Sequence, residues 1–221
     1  MEVTPAKFDG LFTAEKGKRT VLLTKSLTPG IRYFDENLYE NGSYREFDTR
    51  RSKLAAAVIK GLSQWLFRKD SVILYLGASH GYTVSFLSDI CPEGIIFAID
   101  SAPRVVRDLV FVCQQRQNIA PLLADANKPD TYQDRIAQPD IVYQDVAQKN
   151  QVEIFLKNMQ LVKPGGFGML ALKARSIDIT KKPEAIFREA RAELEKHTII
   201  ADFRILHPFE KDHAFFLCKK K

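Results

Sequence analysis

From residue 71 onward the chain alternates short apolar runs with amphipathic ones, and few folds accommodate that rhythm. The apolar runs are Ser71–Leu76 (SVILYL), Gly94–Ile99 (GIIFAI), Ile119–Leu123, Asp140–Gln144 (DIVYQ) and Gly166–Leu172 (GFGMLAL). Several are apolar throughout rather than alternating, which predicts strands covered on both faces. Residues 82–90, 103–117, 150–161 and 183–196 predict helices between or after them. Strand–helix alternation implies parallel strands with right-handed crossovers. The end of the chain breaks the rhythm. Thr198–Ile205 and His213–Cys218 follow each other without room for a helix, so they should pair as an antiparallel hairpin. Upstream, Arg51–Leu66 sets Leu54, Val58, Leu62 and Trp65/Leu66 on one helical face.

The first 50 residues read differently. Short β-prone runs, Arg19–Thr24 and Ile31–Phe34, are broken by Thr28-Pro29-Gly30 and Glu40-Asn41-Gly42-Ser43. Such turn formers predict a small antiparallel sheet with hairpins. We therefore expect two units, a β domain over 1–50 and a larger α/β domain over 51–221. At 221 residues with 45% apolar and 27% charged residues, the chain can bury a core and is not disordered. No apolar run reaches the roughly 18–20 residues of a membrane helix, and no basic-then-apolar leader opens the sequence. Cys91, Cys113 and Cys218 lie far apart and outside metal-ligand spacing. We expect no disulfide framework, no metal, and a cytoplasmic, reducing setting. The net charge of +6 arises beyond residue 50, because residues 1–50 carry eight basic and eight acidic side chains. A basic excess suits a polyanionic partner without proving one.

Strand Ser71–Leu76 runs into Gly77-Ala78-Ser79-His80-Gly81 and then a helix. Glycines there let the backbone approach a ligand, and the helix N-terminus offers free N–H groups. The spacing is G-x-x-x-G. A pyrophosphate loop needs closer glycines, which disfavours NAD. Asp100 ends the second strand, where a carboxylate can accept two ribose hydroxyls. Asp125-Ala126 follows the third, where an adenine amino group can be met. Ligands of open α/β sheets sit at these carboxyl ends. A glycine loop and two acids without a pyrophosphate cradle favour S-adenosylmethionine. The expected fold is thus α/β: a Rossmann-like S-adenosylmethionine-dependent methyltransferase sheet with a C-terminal antiparallel hairpin, plus the small N-terminal antiparallel β domain.

Four more polar residues are expected where the same crevice should be. Asp145 ends the fourth strand, Lys173 the fifth, His213 opens the last strand, and Lys53 begins the long helix. Methyl transfer from a sulfonium mainly requires that the nucleophile be aligned and its proton taken. A lysine can take that proton only when its neutral form is accessible, which desolvation and a neighbouring amine favour and a carboxylate opposes. We assign Lys173 as base or hydroxyl-positioning group. Asp145 is expected to orient Lys173 or the sulfonium, and Lys53 and His213 to hold a ribose-phosphate. His80, His197 and His207 are left to structure.

These residues resemble the fibrillarin family, in its archaeal form, over essentially the whole chain. The resemblance rests on Leu23–Gly30 (LTKSLTPG), Arg51–Ala57 (RSKLAAA), Leu74–Gly81 with Thr83, Ala102–Leu109 (APRVVRDL), Asn118–Pro129 (NIAPLLADANKP), Val142–Gln148 (VYQDVAQ), Leu161–Gly166 (LVKPGG), Leu172–Asp178 (LKARSID) and Lys211–Phe215 (KDHAF). It implies an RNA 2′-O-ribose methyltransferase acting on rRNA, and on tRNA, inside a box C/D guide ribonucleoprotein. It implies a tetrad on Lys53, Asp145, Lys173 and His213. It also implies S-adenosylmethionine contacts at Gly77, Ala78, Gly81, Tyr82, Thr83, Asp100, Ser101, Asp125, Ala126, Asp145 and Gln148. The implied partners are a guide RNA with its target RNA, a Nop-domain scaffold protein and a kink-turn-binding ribosomal-type protein. Base pairing would choose the target, while the protein reads backbone and 2′-hydroxyl.

The chain departs from the family loop, which usually reads G-A-x-S-G-T-T. His80 stands at the serine and Tyr82 at the first threonine, adding bulk expected beside the methionine moiety. Asp100 replaces the usual glutamate with a shorter acid, and Asp48-Thr49 stand where Asn-Pro is usual. Two other readings share the fold: a methyltransferase with another acceptor, such as a protein glutamine or a free-standing RNA, and a non-catalytic ribonucleoprotein subunit.

Overall fold

The computed structural model of the chain describes residues 2–17 and 19–221. Two sheets organise it. The first is antiparallel and built from β1 (Val3–Pro5), β2 (Leu11–Lys16), β3 (Arg19–Lys25), β4 (Leu38–Tyr39) and β5 (Tyr44–Glu46), in the order β1-β2-β3-β5-β4. The second contains β6 (Val72–Leu76), β7 (Ile95–Asp100), β8 (Ile119–Leu123), β9 (Ile141–Gln144), β10 (Phe167–Lys173), β11 (Thr198–Ile205) and β12 (His213–Lys220). Its order is β11-β12-β10-β9-β6-β7-β8, parallel from β10 to β8 and antiparallel where β12 inserts between β10 and β11.

The larger sheet is covered on both faces, which explains why its strands are apolar throughout. Ile73 and Tyr75 of β6 join one buried cluster, and Leu74 and Leu76 join the other. The first cluster also takes in α1 (Lys53–Ile59), α2 (Tyr82–Ile90), α3 (Pro103–Cys113) and the small sheet through Leu11, Leu22 and Phe47. The opposite face carries α4 (Gln151–Met159), the short α5 (Ala174–Ile177) and α6 (Pro183–His197). Phe47 stacks on Phe86 of α2 at 4.5 Å between centroids. A buried ion network ties the same seam together. Arg45 meets Glu36 and Asp89, each at 2.8 Å, and Asp89 also meets Arg116 at 2.7 Å.

Three expectations are corrected. The helix expected over 51–66 ends at Ile59, because Gly61 adopts φ +82 and closes a C-terminal turn. Its N–H donates to Val58 and that of Leu62 to Ala57, a pairing that terminates a helix. Ile31–Phe34 is not a strand. The Tyr33 and Phe34 amides donate to the Glu36 carboxylate at 3.4 and 2.7 Å, which bends the chain there, and β4 begins only at Leu38. The helix expected over 103–117 stops at Cys113. Among the described residues no helix is long and apolar enough to cross a membrane.

Candidate active site

The sheet order reverses between β6, whose chain continues to β7, and β9 on its other side. At that point the connecting loops diverge and leave a crevice at the carboxyl ends. Gly77, Ser79, Asp100, Ser101, Ala126, Asp145 and Gln148 are among the residues that line it. Gly77 has φ +82, and a Cβ there would lie 2.3 Å from the Asp145 carbonyl oxygen. Only glycine lets the two strand ends approach so closely. Ala78 is buried behind the loop, and Gly81 forms the left-handed N-cap of α2.

The acids after β7 and β8 are held by main-chain donors. Asp100 accepts from Ser79 N–H at 2.9 Å and Ala102 N–H at 3.0 Å through different oxygens. Asp125 accepts from Asn127 N–H at 2.9 Å. Asn127, which sequence reasoning missed, donates its amide to Gln148 Oε1 at 2.7 Å and to Asp125 at 3.2 Å. It thereby couples Asp125 and Gln148 across the crevice. Its position in the ADAN turn after β8 was the available signal.

Tyr82 and Thr83 point elsewhere. The Tyr82 ring meets Phe34 edge-on at 5.5 Å and lies beneath the Arg51 guanidinium at 4.3 Å, while its hydroxyl accepts from Asp48 N–H at 3.2 Å. The bulk expected beside the methionine moiety is thus in the seam between the two sheets. Thr83 donates to Ser52 Oγ at 3.0 Å, and Ser52 is the N-cap of α1. His80 is exposed, with Nδ1 3.3 Å from Asp108. Neither His80 nor Tyr82 lines the crevice.

The four polar residues converge on one face. Register matches Tyr143 with Tyr75 and Met169, and Ala171 with Phe215. Side chains alternate along a strand, so Asp145, Lys173 and His213 project on the face that buries those residues. Tyr75 and Tyr143 stack at 4.6 Å, and Tyr143 lies 6.1 Å from Phe215, forming an apolar floor. Burial pushes both tyrosines well above the usual phenol range, so they stay neutral.

Above this floor Lys53 Nζ lies 3.1 Å from Asp145, both about one-fifth exposed. Burial alone would lower the Lys53 pKa; the Asp145 and Glu210 carboxylates outweigh it and raise it. Asp145 thus pairs with Lys53, whereas sequence reasoning gave it to Lys173 or the sulfonium. Lys173 is exposed and stands directly opposite His213. His213 is buried, with Nδ1 2.6 Å from the Lys211 carbonyl. A carbonyl only accepts, so Nδ1 carries the proton and Nε2 is the free nitrogen. Glu210, also missed in the sequence, lies 3.9 Å from His213 Nδ1.

A larger cavity of about 890 Å³ lies between the small sheet and α2, lined by Gly10, Phe12, Leu27 and Ile90 among others. Its Asp89 is locked by Arg45 and Arg116, and its Arg68 and Asp70 pair with each other at 3.4 Å. Among the described residues no cluster of potential metal ligands occurs.

The fibrillarin family model matches residues 3–221. The chain is 46% identical over 217 residues to the fibrillarin-like rRNA/tRNA 2′-O-methyltransferase of Methanocaldococcus jannaschii, covering 95% of this chain and 94% of that protein. Among solved structures it is similar to Aeropyrum pernix fibrillarin in complex with natively bound S-adenosyl-L-methionine. The TM-score is 0.90 and the identity 37%, with 99% of this chain and 98% of that one covered. It is similar also to a chain of a fibrillarin/Nop5p complex, with TM-score 0.86, 39% identity, and coverage of 91% and 94%.

Proposed function

Because this chain belongs to the fibrillarin family, we propose that it is an S-adenosylmethionine-dependent RNA 2′-O-ribose methyltransferase of rRNA and tRNA. One observation carries the reading. Lys53, Asp145, Lys173 and His213 share one face at the strand ends, beside a crevice walled by Gly77 and Asp100. That crevice fits the cofactor: it has a close-approach glycine and fixed carboxylates at successive strand tips, and no side chain at Gly77 to fill it.

When bound, S-adenosylmethionine supplies a methyl group already activated on a sulfonium. The Asp100 carboxylate would accept hydrogen bonds from ribose hydroxyls, with Ser101 beside it. Asp125, Ala126 and Gln148 would hold the adenine end, with Asn127 fixing their spacing. Gly77, Ala78 and Gly81 would hold the methionine side, while Tyr82 and Thr83 act from behind by seating α2. Lys173 Nζ takes the proton of the target 2′-hydroxyl. Its side chain is exposed in the free chain, open to an RNA laid over the rim. Asp145, compensated by Lys53, keeps a carboxylate at the reaction centre without a net charge. His213 Nε2 accepts a hydrogen bond from a ribose hydroxyl of the target, and Lys53 faces its phosphate. A positioned base contributes about 10²–10⁴-fold.

The similarity to a fibrillarin/Nop5p complex supports docking on a Nop-domain scaffold. A box C/D guide RNA and a kink-turn-binding ribosomal-type protein complete the particle in this reading, which the net charge of +6 suits. Residues 1–50 form the β unit and 51–221 the methyltransferase unit, a division supported by the two sheets. Three free cysteines suit a reducing cytoplasm. The test is reconstitution with guide RNA and scaffold proteins, then mapping of methylated riboses. Methylation at the guide-paired nucleotide is expected; methylation of protein, or equal activity without guide, would overturn the assignment.

A further inference from the structure

Gln151 opens α4 and is fully buried, and its carboxamide closes on the main chain of Lys173. Lys173 N–H donates to Gln151 Oε1 at 2.9 Å, and Gln151 Nε2 donates to the Lys173 carbonyl at 3.1 Å. The topology explains why a side chain is needed there. β9 ends at Gln144, opposite Leu170, while β10 continues to Lys173. On the other side Lys173 lies opposite His213, and the adjoining bond runs from Ala174 N–H to the Asp212 carbonyl. In such a pair the N–H and C=O of Lys173 point away from β12. They face the space that β9 has vacated, and the amide of Gln151 stands in for the missing peptide group. Gln144 braces it from below, donating Nε2 to the Gln151 carbonyl at 2.7 Å.

We propose that Gln151 is the positioning residue of Lys173. Held by β12 on one side and by this amide on the other, the Lys173 backbone has one orientation, and its exposed side chain leaves from a fixed point. The role rests on the reading of Lys173 as proton acceptor. It requires donor and acceptor on one side chain of this length. A glutamate of equal size carries only acceptors when ionised and would face the Lys173 carbonyl without a donor. A leucine fills the space and bonds nothing.

The experiment has two readouts on the full chain. In wild type labelled with ¹⁵N-lysine, the Lys173 amide is expected to resist hydrogen exchange although no strand pairs with it; a freely exchanging amide would overturn the clamp without any variant. In Gln151→Glu and Gln151→Leu, exchange at Lys173 accelerates. The single-turnover rate in the reconstituted particle is expected to fall ~10–100-fold, with S-adenosylmethionine affinity within about twofold. Faster exchange with an unchanged rate, or a rate loss matched by lost cofactor binding, would overturn the positioning role. A wild-type particle that transfers no methyl group would overturn the proposed function, and the wild-type exchange would still decide the clamp.

Discussion

Lys173 and His213 stand directly opposite each other across β10 and β12, so the last residue of a parallel strand and the first of an antiparallel one share a rim. Truncating Lys173 removes the amine from that rim and little else, since the side chain is exposed. Lys173→Ala is expected to lower the single-turnover rate by about 10²–10⁴-fold, with S-adenosylmethionine affinity within a few fold by calorimetry. Wild-type turnover in this variant would remove Lys173 from the reaction.

The Lys53–Asp145 pair keeps about one-fifth of each side chain in contact with water, and the desolvation of the rest offsets much of its Coulomb gain, leaving a net of roughly 1 kcal/mol. Asp145→Asn should therefore cost turnover far more than stability. The pH dependence has a definite sign. Lys53 has a raised pKa in the fold, so its stabilisation is complete below the unfolded lysine value of about 10.4 and is lost as pH rises through the folded one. Urea midpoints of wild type and Asp145→Asn should differ at neutral pH and converge in strong alkali.

Gly77 tolerates no side chain. A methyl group there would meet the Asp145 carbonyl at 2.3 Å and sit at φ +82. Relief would require β6 and β9 to part at the crevice. Gly77→Ala is expected to abolish detectable cofactor binding and to lower the melting temperature. Binding of wild-type strength would show that the strand ends need not approach.

Tyr82 supports the seam between the sheets through Phe34, Arg51 and the Asp48 amide. Tyr82→Thr empties part of that seam. A loss of about 1–3 kcal/mol in unfolding free energy is expected, with cofactor affinity changed less than a few fold. A large gain in affinity would mean that the tyrosine reaches the crevice after all.

Arg45 and Glu36 are both fully buried. Burial works to raise the Glu36 pKa; the Arg45 guanidinium and the Phe34 amide outweigh it and hold the carboxyl below its usual range. The resulting stability is present above the unfolded glutamate value of about 4.3 and is lost as pH falls through the folded one. Glu36→Gln should flatten the acid limb of the stability profile. Arg45→Met strands the Glu36 carboxylate and should cost about 3–5 kcal/mol, read by chemical denaturation at neutral pH.

Apart from the short α5, the order of strands and helices beyond residue 70, the terminal hairpin, and the acids at Asp100, Asp125 and Asp145 were legible in the chain itself. Periodicity and turn chemistry act over a few residues, and a strand's carboxyl end is a local property. Other features came from residues remote in sequence. Ile31–Phe34 has strand composition but bends because its amides reach nearby Glu36, which is held by Arg45, itself anchored on the remote Asp89. Tyr82 faces the seam because Phe34, Arg51 and Asp48 are there to receive it. That Lys53 takes Asp145, and that Gln151 completes the strand ending in Lys173, follows from β9 lying between β6 and β10 and stopping short. Sheet order is settled by which apolar faces pack together across the whole molecule, and no local pattern encodes it. The chain by itself determined which chemical groups stand at the strand ends; only the assembled sheet decided which of them touch.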